Sequence, residues 1–359
     1  MKKKGVSASK VAAAYIGTVV GAGFATGQEV LQFFARFGIS GLCGLLIAAA
    51  LFIVFGWIIM KSGRMLHARS HLEIIRHSGG RFLGTVIDAV ITVFLFGTFA
   101  VMIAGNGALF EQQLKLPAMA GNAIMAVLTA LTVLTGINGV INSISFVVPF
   151  LLSTVMLTSI LSAARYPVNL CSVPLAGSPD GLFSNWFLAA ILYVSYNTVV
   201  SIAILAPLGN EAEDEKAVRN GALLGGAGLG FGAAMIFLAL SGQITSIEKL
   251  EVPMIYIAGE ISPVLQVIYS IVLIAEIYTT AVSSLYGFTS RIIDMQKKPV
   301  KGRYIVAGST ALALMSSRLG FSNLVRYLYP FIGYCGLVVL TALAGRTVKN
   351  RINSSRSGL

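Results

Sequence analysis

The chain has 359 residues, of which 56% are hydrophobic and only 11% charged, with a mean hydropathy of +0.83. A soluble chain needs about 25% charged residues to cover its surface. This composition therefore excludes a soluble globular protein, a disordered chain and an ordinary cytosolic enzyme, and requires lipid as the solvent. The net charge of +12 does not point to nucleic acid, because the basic residues lie between apolar runs, where they report membrane orientation.

The basic tail at residues 1–5 leads into an apolar run from Val11 to beyond Phe34 with no A-x-A cleavage pattern, so it reads as a first membrane segment and not a signal peptide. A bilayer core takes about 20 apolar residues per helix. Ten spans are predicted, at 10–37, 40–61, 82–112, 118–136, 139–162, 184–208, 218–241, 262–291, 302–320 and 323–346. Gly136-Ile137-Asn138-Gly139 joins spans 4 and 5 as a tight hairpin. The runs are continuous rather than alternating, which excludes a β-barrel. An inside N-terminus places 20 of the 26 lysines and arginines on the cytoplasmic side, leaving Arg36, Lys115, Arg165, Lys249, Arg318 and Arg326 elsewhere. Both termini are therefore expected in the cytoplasm. His67, His71 and His77 fall in the basic loop 62–81 and read as solvated residues, not metal ligands. The acidic run after Asn210 reads as a solvated cytoplasmic loop, and 242–261 as an external one. Cys43, Cys171 and Cys335 show no ligand spacing and are expected only to pack.

Two spans carry signs of broken helices. In span 1, Gly17, Gly21, Gly23 and Gly27 lie within an apolar run that ends in Gln28 and Glu29. Each interior glycine costs about 1 kcal/mol of helix stability relative to alanine, and unwound backbone is tolerated at membrane depth only against protein or a polar cavity. In span 6, Tyr193, Ser195, Tyr196, Asn197 and Thr198 form a polar patch. Such side chains compete for backbone hydrogen bonds, and Pro207 is expected to end the span. Spans 1 and 6 correspond in a 5+5 division, and paired interruptions point to a midplane site in an inverted-repeat transporter. Free amides at a half-helix start suit a carboxylate, and free carbonyls at a half-helix end suit a cation. In span 8, Thr279, Thr280, Ser283 and Ser284 offer an oxygen-only cage for Na+, or hydroxyls that bond back to their own helix.

The glycine-rich break, the Tyr193-x-x-Tyr196-Asn197 segment and the span-8 hydroxyls resemble the amino acid–polyamine–cation superfamily, with its LeuT-type 5+5 inverted-repeat fold. More narrowly, the string from Val20 to Glu29, Val-Gly-Ala-Gly-Phe-Ala-Thr-Gly-Gln-Glu, resembles the bacterial YkvI-type permeases. The resemblance implies an all-α integral membrane protein of the bacterial cytoplasmic membrane. It implies a first five-helix repeat over 1–163 and a second over 164–359, and broken helices 1 and 6. Carried over residue by residue, the carbonyls of Gly17 and Val20, the hydroxyls of Thr279 and Thr280 and the position of Glu276 correspond to a Na+ site, with Ser283 and Ser284 as the alternative register. Ala22 and Gly23 correspond to amides that hold a substrate carboxylate, with Phe24, Tyr193, Tyr196, Asn197 and Phe99 around the substrate. Proton-coupled relatives place a lysine in span 5; none is present here, which favours Na+. The chain offers ten spans where many relatives have twelve.

Glu29, Asp88 and Glu276 fall within spans, where carboxylates are functional candidates by default. Glu29 and Glu276 are candidates for a proton or ammonium site, whereas Asp88 is expected at the interface or paired with a basic loop residue. Phe94, Phe96 and Phe99 offer an aromatic wall, and Asn106 a polar contact further along that span. The run from Gly221 to Gly232 reads as a close-packing surface, because it lacks the Gly-Lys-Ser/Thr end of a phosphate loop. The expected function is Na+ symport of a small amino acid or related zwitterion, with spans 1, 2, 6 and 7 rocking against 3, 4, 8 and 9. The alternatives are H+ coupling and a non-transporting ligand-sensing subunit. An enzyme, a cofactor other than the coupling ion, and a nucleic-acid partner are not expected; the lipid bilayer is, and the oligomeric state is left open.

Overall fold

The computed structural model describes residues 5–68, 71–135, 147–167, 185–293, 295 and 297–357, with side chains described except at 71–72, 147–148 and 347–357. The Gly136–Gly139 hairpin and Cys171 lie outside the described residues. The first span arrives in pieces: α1 (Ala8–Val19), α2 (Ala22–Ala25) and α3 (Gln28–Phe33), followed by a 3-10 turn at Ala35–Phe37. Next come α4 (Ile39–Met65), α5 (His71–Leu114), α6 (Ala118–Leu134), α7 (Val147–Arg165), α8 (Trp186–Glu211) and α9 (Glu215–Ser241). The chain continues with α10 (Ile244–Ile247), α11 (Pro253–Ile261), α12 (Pro263–Ile292), α13 (Pro299–Ser316), a 3-10 turn at Ser317–Leu319, and α14 (Phe321–Ser357). Among the described residues, α4, α5, α8, α9, α12 and α14 are long and apolar enough to cross a membrane, and α6 and α7 are shorter apolar helices.

The break in span 1 is present, but the expected break in span 6 is not. The corresponding helix, α8, runs unbroken from Trp186 to Glu211, with Pro207 inside it. The physical reason lies in the polar patch itself. Asn197 Nδ2 donates to the Tyr193 carbonyl at 2.9 Å, and Thr198 Oγ1 to the Val194 carbonyl at 2.7 Å. Ser195 Oγ instead crosses to the Gly333 carbonyl on α14 at 2.7 Å. These groups add bonds to an intact ladder instead of replacing it.

Both long loops hold more helix than expected. The 62–81 segment is largely absorbed by α4 and α5, and α5 turns at Gly80, whose φ of 80° favours glycine. The 242–261 segment contains α10 and α11.

Packing divides the helices. One group joins α1, α4, α8 and α9; another joins α5 with α6 and α12, and α6 with α13, while α14 packs on both α8 and α5 and α7 on both α12 and α9. The span-7 glycines are a packing surface, as expected: Gly221 and Gly225 sit on Val11 and Tyr15 of α1, and Gly226 on Ile53 of α4. Gly63 of α4 rests on the Ala206 carbonyl and Gly209 of α8 on the Met60 carbonyl. This reciprocal pair lets two backbones approach as small residues do between membrane helices.

Candidate functional site at the broken first span

The break is two extended residues, Val20 (φ −72°, ψ 114°) and Gly21 (φ −132°, ψ −172°). Val20 N still donates to the Ile16 carbonyl at 2.8 Å, and the helix resumes when Ala25 N reaches the Gly21 carbonyl at 3.0 Å. The last carbonyls of α1 and the first amides of α2 are thereby left without helical partners. A second interruption follows at Gly27, which is left-handed at φ 80°. Thr26 Oγ1 closes that turn on the Gly23 carbonyl at 2.8 Å. Two distant segments then fix the strand of pieces. Tyr269 OH of α12 donates to the Ala25 carbonyl at 2.6 Å, and Met254 N of α11 to the Thr26 carbonyl at 3.1 Å.

Glu29 doubles back across the Gly27 turn onto α2. Its Oε2 accepts from Tyr196 OH at 2.5 Å, and its Oε1 lies where a Cβ on Gly23 would be. Gly23 is therefore glycine because a carboxylate occupies the space of a side chain. Glu29 is 6% exposed and has no cationic partner among the described residues. Around it Tyr193 and Tyr196 stand edge to face at 5.6 Å. Phe33 lies 5.7 Å from Tyr196, Phe34 5.0 Å from Tyr193, and Tyr329 4.9 Å from Tyr196.

Of Phe94, Phe96 and Phe99 on α5, Phe94 reaches this cluster, 6.4 Å from Tyr196 and 5.9 Å from Tyr329. Phe96 pairs instead with Phe288. Phe99 is buried but makes no ring contact among the described residues. Asn106 donates to the Gly121 carbonyl on α6 at 2.7 Å, so it ties helices together. Asp88 pairs with Arg291, a basic residue at the end of α12. Tyr329, Phe33 and Phe34 are members of the cluster that sequence reading missed. They are aromatic residues in apolar runs, and only the packing of α3 and α14 on α8 gives them a place.

On α12, Thr279 Oγ1 donates to the Glu276 carbonyl at 3.0 Å, Thr280 Oγ1 to Glu276 Oε1 at 3.3 Å, and Ser283 Oγ to the Thr279 carbonyl at 2.6 Å. Ser284 is buried beside them. Glu276 Oε2 is buried without a partner. Among the described residues no hydrogen bond joins these groups to Gly17 or Val20. Contact between the break and α12 runs through Tyr269 and α2. Among the described residues no group of His, Cys, Asp and Glu could hold a metal ion; His67 faces Asn210 at 3.3 Å and His77 faces Arg346 at 3.3 Å.

The fold and the broken span define a multi-pass membrane protein of LeuT type. Among solved structures, the Na+-coupled sialic acid symporter in its substrate-bound outward-open state aligns over 94% of this chain and 90% of its own, at a TM-score of 0.61 and 10% identity. Inward-facing Mhp1 aligns over 93% and 74%, at 0.60 and 14%. MhsT in complex with L-phenylalanine aligns over 93% and 89%, at 0.56 and 17%. No family model matches the chain. The membrane protein YkvI of Bacillus subtilis (strain 168) is 32% identical over 355 residues, covering 98% of this chain and 99% of that protein. The chain belongs to the YkvI family. YyaD of the same organism is 29% identical over 334 residues, 91% of this chain and 93% of its own.

Proposed function

We propose that the protein is a secondary active transporter of a small amino acid or related zwitterion, coupled to Na+ and working by alternating access around the break in span 1. One observation carries this reading: the break leaves the last carbonyls of α1 and the first amides of α2 without helical partners, and the buried carboxylate of Glu29, with no cationic partner among the described residues, lies against Gly23 of α2. Such a place offers opposite poles to the two ends of a zwitterion. The fold likeness supports it, since the neighbours include a Na+-coupled symporter and a protein holding L-phenylalanine.

The Na+ assignment rests on Gly17, Val20, Thr279 and Thr280, with Glu276 nearby and Ser283 and Ser284 as the alternative register. Back-bonding of the α12 hydroxyls is compatible with it. Donating the proton to a helix carbonyl leaves the oxygen lone pairs free for a cation. Ala22, Gly23, Phe24, Tyr193, Tyr196 and Asn197 remain the proposed substrate surround, with Phe94 in place of Phe99 as its α5 ring. Catalysis is not proposed, and both termini are assigned to the cytoplasm.

A second reading, H+ coupling, is favoured by a separate observation: Glu29 and Glu276 are both buried carboxylates without a cationic partner among the described residues. One experiment separates the readings. The thermal stability of the purified protein is measured across an amino-acid panel, in Na+ and in choline, at two pH values. Ligand that binds the native state raises apparent stability by mass action. A shift that requires Na+ supports symport. A shift that follows pH and ignores Na+ moves the coupling to the carboxylates, and the absence of any shift removes the amino-acid assignment.

A further inference from the structure

Arg36 lies in the 3-10 turn directly after α3, and Arg326 in the second turn of α14. The helix α3 that leads into this turn is tied to α14 by Gln28 Nε2, which donates to Ser322 Oγ at 2.5 Å, one turn before Arg326. The charges that act on Arg36 are Arg326, by repulsion, and Glu248 of the segment after α9, by attraction. Neither arginine forms an ion pair among the described residues. The Nε of each is buried and has no acceptor, and the Nε2 of Gln32, four residues before Arg36 and 5% exposed, has none either. Gln28 Oε1 is the single unpartnered acceptor on α3. The unmet groups are thus mainly N–H donors, two of them on like charges. Their missing partner is an acceptor with negative charge, and the guanidinium fork matches a carboxylate.

We propose that Arg36 and Arg326 together form an anion-binding station that takes the carboxylate of the solute before it reaches the break in span 1. The occupant follows from what lies next to the pair. Three residues beyond Arg326, Tyr329 stacks at 4.9 Å on Tyr196, the residue that donates to Glu29. Donors for a carboxylate and an acceptor for an ammonium thus border one aromatic cluster. Glu29 already fills the space at Gly23, so a second carboxylate arriving there first would meet like charge. The choice of occupant rests on the transport reading; the anion site does not.

The test uses the full chain in detergent with isethionate as the bulk anion, and reads thermal unfolding against acetate, succinate, phosphate and chloride. Acetate or succinate is expected to raise Tm saturably, and Arg36→Gln and Arg326→Gln to weaken the apparent affinity at least about tenfold, the loss of one charge-assisted hydrogen bond. Without those anions, each glutamine variant is expected to unfold no lower than the parent, because a repulsion has been removed. A flat response to every anion overturns the station, as does an equal response in parent and variants. Phosphate or chloride matching the carboxylates overturns the occupant in favour of an inorganic ion or lipid headgroup. If neither variant can be purified, phenylglyoxal labelling of the native protein gives the answer: protection of Arg36 by succinate supports the site, and unprotected labelling removes it. Intact anion stabilisation with no solute uptake would defeat the transport reading alone.

Discussion

Glu29 is the residue on which the site turns. Its two oxygens have different fates: Oε2 is held by Tyr196, and Oε1 lies over Gly23. Tyr196→Phe keeps the ring and its packing but removes the one hydrogen-bond donor to the carboxylate among the described residues. A hydrogen bond to a charged group contributes about 1.5–3 kcal/mol, so a ligand that depends on Glu29 being held in place should bind about tenfold or more weakly. Calorimetric titration with the ligand found in the stability panel checks this, and unchanged affinity would mean that Tyr196 only packs. Gly23→Ala should act more severely, because the new methyl displaces Oε1 and breaks the Tyr196 bond with it. Thr280→Ala should raise the Na+ concentration needed for half-maximal stabilisation, and an unmoved Na+ dependence removes Thr280 from the cation site. Glu29 was legible in the sequence because a charge inside an apolar run is conspicuous. Tyr329 was not, because it is unremarkable until α14 is laid against α8. Ser195, Asn197 and Thr198 misled for the opposite reason. A polar patch is compatible with a broken helix and with a decorated intact one, and local pattern does not separate them.

Among the elements, α14 has an end that another segment completes. Gly320 precedes it with φ 84° and offers no side chain for a cap. Glu251, between α10 and α11, supplies the acceptor: its Oε2 takes Phe321 N at 2.8 Å and Ser322 N at 3.3 Å. Burial raises the Glu251 pKa above the ordinary carboxylate value, against the lowering effect of those two amides, and Glu111 raises it further. Because the folded value is raised, the contribution to stability is present at and below the ordinary carboxylate range and is lost as pH rises through the elevated value. Glu251→Gln should abolish that component of the Tm–pH profile while keeping an acceptor. Glu251→Ala should cost about 0.5–2 kcal/mol, the usual loss of a helix cap. A Tm–pH profile of Glu251→Gln that overlays the parent would remove the group from the titration. Hydropathy located this region as a loop, since its helices are short and mixed in polarity. It gave no sign of the cap, which joins residues 70 apart.

At the scale of the whole molecule, the grouping of α1, α4, α8 and α9 corresponds to spans 1, 2, 6 and 7, and its end at the α8–α9 link is bound by more than helix packing. Val6 N donates to the Glu211 carbonyl at 2.9 Å, and Glu213 N to the Val6 carbonyl at 3.1 Å, making a parallel bridge between the start of span 1 and the α8–α9 link. Gly5 lies so close to the Glu213 backbone that a Cβ would collide with it. From α4, Arg64 donates to the Ala212 carbonyl at 2.6 Å, and Lys61 pairs with Glu215 at 2.7 Å. The acidic run that reads as a solvated loop is therefore partly a clasp. A surface ion pair alone contributes little; the backbone bridge and the arginine bonds are what fix α1 to its neighbours here. If α1 travels with α8 and α9 as one body, locking them together costs nothing. Paired residues on a bridge have a separation suited to a disulfide. A Val6→Cys, Ala212→Cys variant, with Cys43, Cys171 and Cys335 replaced by serine, should therefore keep solute uptake in vesicles within about twofold after oxidation, by mass action of an unchanged rigid group. Uptake that stops on oxidation and returns on reduction would show that α1 leaves the clasp during the cycle, and that the moving body is α1 alone rather than the group of four.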